Sequence, residues 1–61
     1  MNKSELKQVQ ILASFYKLGM IDTVARSLSS LIRAARTNKS REALMRYADM
    51  FGVRSNPEFI I

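Results

Sequence analysis

The chain has 61 residues, with 10 Lys or Arg against 5 Asp or Glu, which gives a formal net charge of +5. It contains neither Cys nor His, so disulfides, zinc-finger spacing and thiolate or imidazole catalysis are excluded. A chain of this size buries only about 60% of the surface of its unfolded form, and it therefore needs an efficient helical core or self-association. Its hydrophobic content of 48% argues against a disordered chain, and its 25% of charged residues argues against an integral membrane protein.

No stretch of the sequence is suited to crossing a membrane. The longest run without a charge, Gln8 to Tyr16, has 9 residues and includes two Gln and a Ser, whereas a spanning helix needs about 18 or more apolar residues. The first residues also lack the pattern of a secretory signal peptide. We therefore expect a cytoplasmic protein without a membrane span.

The positions of Gly and Pro in the sequence predict three helices in one domain of residues 1–61. Gly and Pro occur only at positions 19, 52 and 57, and the stretches between them are rich in helix-forming residues. The first helix is predicted over about 3–18, with Asn2 and Glu5 as a capping box and Gly19 at its end. The fold class is therefore predicted to be all-α, a compact three-helix domain that forms a helical homodimer.

The second and third helices are predicted over about 23–36 and 40–51, and an apolar tail follows over 53–61. Asp22 is expected to cap the second helix, and Glu42 to lie in the first turn of the third. Helical periodicity assigns one apolar arc of the second helix to the core, made of Val24, Ala25, Leu28, Leu31, Ile32 and Ala35. The same reasoning directs Ala43, Leu44, Tyr47, Ala48, Met50 and Phe51 of the third helix inward.

The first helix carries two apolar stripes on nearly opposite sides. Ile11, Phe15 and Leu18 form the second stripe, which we call the ridge, and a three-helix monomer cannot bury it together with the first. A homodimer through the ridge is the favoured explanation. Two others remain open: the tail folds back over the ridge, or the ridge recognises another protein. The residues predicted for a dimer or partner interface are Ile11, Phe15, Leu18, Phe59, Ile60 and Ile61.

The charges are distributed unevenly along the chain. From Thr23 to Arg41 there is no acidic residue, whereas the remainder of the chain carries equal numbers of acidic and basic side chains. All of the net charge therefore lies in this basic segment, which consists mainly of Arg, a side chain whose fork suits phosphate oxygens. The predicted nucleic-acid-binding residues are Arg26, Arg33, Arg36, Lys39 and Arg41, with Ser29, Ser30, Asn38 and Ser40 as auxiliary hydrogen-bonding groups.

Two other interpretations of the basic segment stay open. A charged arc is often only a solvated helix face, and an acidic protein would satisfy the same arginines. A helix-turn-helix is also possible in two placements, one with its turn near Ser29 and one with its turn at 37–39. In the second placement Ser40, Arg41, Met45 and Arg46 would face the groove.

Enzymatic chemistry is not expected, because the five carboxylates are scattered and no His or Cys is present. No cofactor and no metal are expected either. The sequence predicts a small non-enzymatic nucleic-acid-binding or regulatory protein that contacts phosphates through a basic helix face. The alternative is an adaptor or inhibitor that docks on an acidic or apolar surface of a partner protein.

Overall fold

A computed structural model describes residues 2–61 of the chain. It contains three α-helices, α1 (Lys3–Lys17), α2 (Ile21–Ala34) and α3 (Asn38–Phe51), and residues 2–61 include no strand. The predicted all-α, three-helix fold is confirmed. Residues 53–61 follow α3 as an irregular segment, which we call the tail.

The ends of α1 are set by the residues that the sequence indicates. The Glu5 backbone N–H donates to Asn2 Oδ1 at 2.8 Å, and the Asn2 N–H donates to Glu5 Oε1 at 3.0 Å, so the capping box is present. Gly19 follows the last turn with φ of 81°, and Gly52 ends α3 with φ of 68°. Both glycines adopt the left-handed conformation that other residues rarely tolerate, and these two helix stops are confirmed.

The starts of α2 and α3 differ from the prediction by two residues each. The residue before α2 is Met20, which makes no side-chain capping bond, and Asp22 lies inside the first turn. Its carboxylate accepts a hydrogen bond from Asn56 Nδ2 at 3.1 Å, so the prediction that Asp22 caps α2 is wrong. At α3 the Ser40 N–H donates to Thr37 Oγ1 at 3.1 Å, which makes Thr37 the cap. Glu42 consequently lies beyond the first turn, contrary to the prediction.

The core forms where α2 packs between α1 and α3. Leu28, Ile32 and Leu44 are among its largest fully buried side chains, and Val53 of the tail completes it. The apolar arc of α2 is buried as predicted, except that Leu31 is only half-buried. The radius of gyration of 10.4 Å is close to the ~10.5 Å expected for a folded chain of this length. The surface of 4266 Å² likewise lies close to the ~4,000 Å² expected of a monomer of this mass.

The two outer helices, α1 and α3, meet near their starts and near their ends. Near their starts the Ser40 hydroxyl donates to Glu5 Oε1 at 3.2 Å, and near their ends the rings of Tyr16 and Phe51 lie 5.1 Å apart. Met50 was predicted to point inward, and that prediction is wrong, because its side chain is 75% exposed at the edge of α3. None of the helices within residues 2–61 is long and apolar enough to cross a membrane.

Candidate nucleic-acid interface

The tail crosses the face of α2 that carries the first basic residues. Val53 is fully buried and Phe59 packs against the core, so the tail is anchored at two points. Val53 and Arg54 hydrogen-bond to α3, but the hydrogen bonds that Asn56, Glu58 and Ile60 make with the helices go to α2. Ile11 and Leu18 of the ridge stay exposed. The tail therefore covers part of α2 and does not fold back over the ridge.

Arg26 and Arg33 are both engaged by the tail. Arg26 donates from Nε and Nη2 to a single carboxylate oxygen of Glu58, at 3.0 and 2.8 Å. Arg33 donates from Nη1 to the Ile60 carbonyl oxygen at 2.7 Å and from Nη2 to Ser30 Oγ at 3.4 Å. Both side chains lie at the surface as predicted, but oxygen atoms of the same chain already occupy two donors of each guanidinium.

Ser29 lies at the centre of the contact between the tail and α2. The prediction that it belongs to the exposed face is wrong, because the residue is only 1% exposed. Its hydroxyl donates to the Ala25 carbonyl and accepts the Ile60 N–H at 3.1 Å. Ser29 therefore holds the tail in place and is not accessible to a phosphate while the tail is docked.

The other three predicted cations surround the connection between α2 and α3. Arg36, Lys39 and Arg41 are exposed, and the connection itself is only three residues long. Arg41 donates from Nη2 to the Ala35 carbonyl at 3.2 Å and from Nη1 to Asn38 Oδ1 at 3.4 Å. Arg36 and Lys39 form no side-chain hydrogen bond or ion pair with any other part of residues 2–61. These three residues form what we call the basic corner.

The hydroxyl of Ser40 and the amide of Asn38 have partners near the basic corner. Ser40 is half-buried and donates to Glu5, and the Asn38 side-chain oxygen accepts from Arg41. Only the side-chain NH₂ of Asn38 therefore offers a donor that no contact within residues 2–61 occupies.

Arg46 extends the basic corner along α3, although it lies outside the basic segment that the sequence singles out. A shallow pocket of about 450 Å³ on the exposed face of α3 is lined by Asn38, Arg41, Glu42, Met45 and Arg46. These positions follow the spacing of one helix face, which is the signal that could have identified Arg46. The connection lies at 35–37 and not at 37–39, as the second helix-turn-helix placement expected. Met45, expected in that placement to face the groove, is half-buried and packs against the core, so that part of the prediction is wrong.

The residues predicted for a dimer or partner interface are not equally accessible. Phe15 and Phe59 are half-buried and pack against the core, while Leu18 is 74% exposed and Ile11, Ile60 and Ile61 are exposed as well. Beside the ridge, a groove between α1 and α2 includes small side chains at Ser27, Ser30 and Ala34. Ile11 and Leu18 are thus the ridge positions that a partner could reach without disturbing the core.

The acidic residues do not assemble into a site. Glu58 and Asp49 are paired with Arg26 and Arg54, and Glu5 caps α1. Residues 2–61 contain no group of three or more carboxylates that could hold a metal ion. Comparison with protein-family models, curated proteins and solved structures gave no match to this chain.

Proposed function

We propose that this chain is a small non-enzymatic nucleic-acid-binding or regulatory protein that contacts phosphates through the basic corner. The observation that supports this proposal is that the positive charges of the basic corner have no carboxylate partner within residues 2–61. Arg36, Lys39 and Arg41 lie within six residues of one another, and no carboxylate within residues 2–61 lies within ion-pair distance of them. Unpaired cations that cluster at one corner repel each other, and a polyanion that binds there relieves this repulsion.

The positions of these side chains also suit a phosphate backbone. The Ala35 carbonyl holds the guanidinium of Arg41, which leaves further N–H donors of its fork available. Backbone N–H groups of the first turn of α3 lie at the same corner, and they favour anions through the helix dipole. Arg46 would add a fourth cation one turn further along α3.

A salt titration with random-sequence duplex DNA tests the proposal. If four cations neutralise phosphates, the slope of log K against log salt is expected to be about −3.6 per protomer. Replacing both Arg36 and Lys39 by Ala should make this slope shallower by about 1.8. Arg54→Ala is the matched control, because Arg54 lies beyond the opposite end of α3 and pairs with Asp49. The absence of binding at low salt would refute the proposal.

Self-association through the ridge is part of the same proposal. The exposed Ile11 and Leu18 beside a groove with small side chains support it, since a second copy could place its own ridge there. Dimeric nucleic-acid-binding proteins also gain contacts by repeating one basic surface across a two-fold axis. A cytoplasmic location follows from the proposed partner, because nucleic acid is present there.

A further inference from the structure

Residues 56–61 of the tail lie along the length of α2, and we call them the strap. They form hydrogen bonds with side chains on successive turns of this helix: Asn56 with Asp22, Glu58 with Arg26, and Ile60 with Ser29 and Arg33. The first and last of these α2 positions are separated by about 16.5 Å along the helix axis. The strap therefore covers one face of α2 from its first turn to its last.

The strap occupies arginine donors with oxygen atoms. Glu58 Oε1 accepts from Nε and Nη2 of Arg26 at 3.0 and 2.8 Å, and the Ile60 carbonyl oxygen accepts from Nη1 of Arg33 at 2.7 Å. A guanidinium binds carboxylate and phosphate oxygens through the same N–H groups. The contacts that dock the strap are therefore of the kind that a phosphate would make with these two arginines.

Release of the strap would extend the basic corner along α2. Arg26 and Arg33 lie on one side of this helix, about 10.5 Å apart along its axis, and Arg33 is three residues before Arg36. Glu58 would leave with the strap. The one carboxylate of α2 itself, Asp22, lies a turn before Arg26 at the far end of this face. The uncovered face would therefore be basic from Arg26 to the basic corner.

The strap is held more weakly than the residue that anchors the start of the tail. Val53 is fully buried and donates its N–H to the Ala48 carbonyl of α3 at 3.1 Å. Within the strap only Phe59 packs against the core, and the side chains of Arg26 and Glu58 are 64% and 40% exposed. Exposed ion pairs contribute little to stability, because water competes for both charges. The strap can therefore leave α2 while Val53 stays in the core.

We propose that the strap is an autoinhibitory segment that restricts phosphate contacts to the basic corner. The docked strap keeps Arg26 and Arg33 bound to its own oxygens, and its release adds both arginines to the phosphate-binding surface. This inference rests on the proposed binding of nucleic acid by the basic corner. Because the released form makes two more phosphate contacts, it binds nucleic acid more tightly than the docked form. By linkage, bound nucleic acid raises the small population of the released form.

Two variants of one residue test the docking of the strap. Ile60→Pro removes the N–H that binds Ser29 Oγ at 3.1 Å, whereas Ile60→Ala keeps this N–H and shortens the same exposed side chain. Any contact of the Ile60 side chain is therefore lost in both variants. NMR relaxation of the Glu58 and Phe59 amides should show a mobile strap in Ile60→Pro and an ordered strap in Ile60→Ala. Both variants should keep the helical circular dichroism of the original chain, because Ile60 lies outside the helices.

Salt titrations of the same proteins with random-sequence duplex DNA measure the effect on binding. Two additional phosphate contacts should make the slope of log K against log salt steeper by about 1.8 in Ile60→Pro. This variant should therefore lose about twelvefold more affinity than the original chain between 50 and 200 mM salt. Ile60→Ala should keep the original slope. In the original chain, duplex DNA should speed hydrogen exchange at the Ile60 amide, which reports the released population.

Three results would overturn the proposal. A strap that stays ordered in Ile60→Pro would contradict its weak docking, and a mobile strap with an unchanged slope would show that it does not restrict phosphate contacts. Equal steepening by both Ile60 variants would assign the effect to the lost side chain. Failure of the proposed function has a different result: the original chain binds no duplex at low salt, or the double Ala variant of Arg36 and Lys39 keeps the original slope.

Discussion

Glu58→Gln tests whether the tail competes with phosphate for the basic face of α2. In the folded chain the Glu58 carboxylate binds two donors of Arg26, so the charge of this arginine is already paired when a phosphate approaches. Gln has the same shape without the charge, and it leaves the positive charge of Arg26 unpaired. One additional neutralised phosphate should make the slope of log K against log salt steeper by about 0.9. Between 50 and 200 mM salt, the variant should therefore lose about 3.5-fold more affinity than the original chain.

The assay is a titration of both proteins against the same duplex at several salt concentrations. Asp49→Asn is the matched control, because it removes the same charge from an exposed Asp–Arg pair and releases Arg54 beyond the other end of α3. Its slope should equal that of the original chain. If both variants steepen the slope equally, net charge alone explains the effect. An unchanged slope for Glu58→Gln would refute the competition between the tail and phosphate.

Three further predictions concern stability and assembly. Leu28→Ala should lower the free energy of unfolding by about 2–5 kcal/mol, whereas Arg26→Ala should change it by no more than about 0.5 kcal/mol. If urea unfolding gave the reverse order, Leu28 would not lie on the buried face of α2. Ser29→Ala should cost about 0.5–1.5 kcal/mol and speed hydrogen exchange at the Ile60 amide, and unchanged exchange there would argue against the docked tail. Leu18→Glu should give a folded monomer in sedimentation if the ridge forms the dimer, while a dimer that survives this change uses another surface.

The helices could be predicted from the sequence because their ends are marked by local chemistry. Asn2 with Glu5 and the two glycines make contacts only with neighbours in the chain, and the structure contains the contacts expected of them. The start of α2 could not be placed in the same way, since Met20 makes no side-chain capping bond. At α3 both Thr37 and Ser40 are able to cap, and the structure uses Thr37 with the Ser40 N–H as its donor.

The path of the tail could not be predicted from periodicity, which describes the faces of one helix and not what covers them. The contacts that fix the tail join residues about thirty positions apart, such as Ser29 with Ile60 and Arg26 with Glu58. A Ser hydroxyl is compatible with water or with a buried hydrogen bond, so Ser29 gave no sign of its burial. Met50 was misplaced for a related reason, because an edge position of α3 is buried only if a neighbouring helix reaches it.

The tail also changes what the clustered arginines imply about function. Arginines on α2 without an acidic partner on the same helix suggested a surface kept for a polyanion, but Arg26 and Arg33 have partners in the tail. Their presence on α2 therefore does not by itself indicate a polyanion partner. Arg36 and Lys39 have no such partner within residues 2–61, and the evenly balanced charges outside the basic segment give no general need for solubilising cations. The inference of phosphate binding accordingly depends on the basic corner, and the double Ala variant of Arg36 and Lys39 is its decisive test.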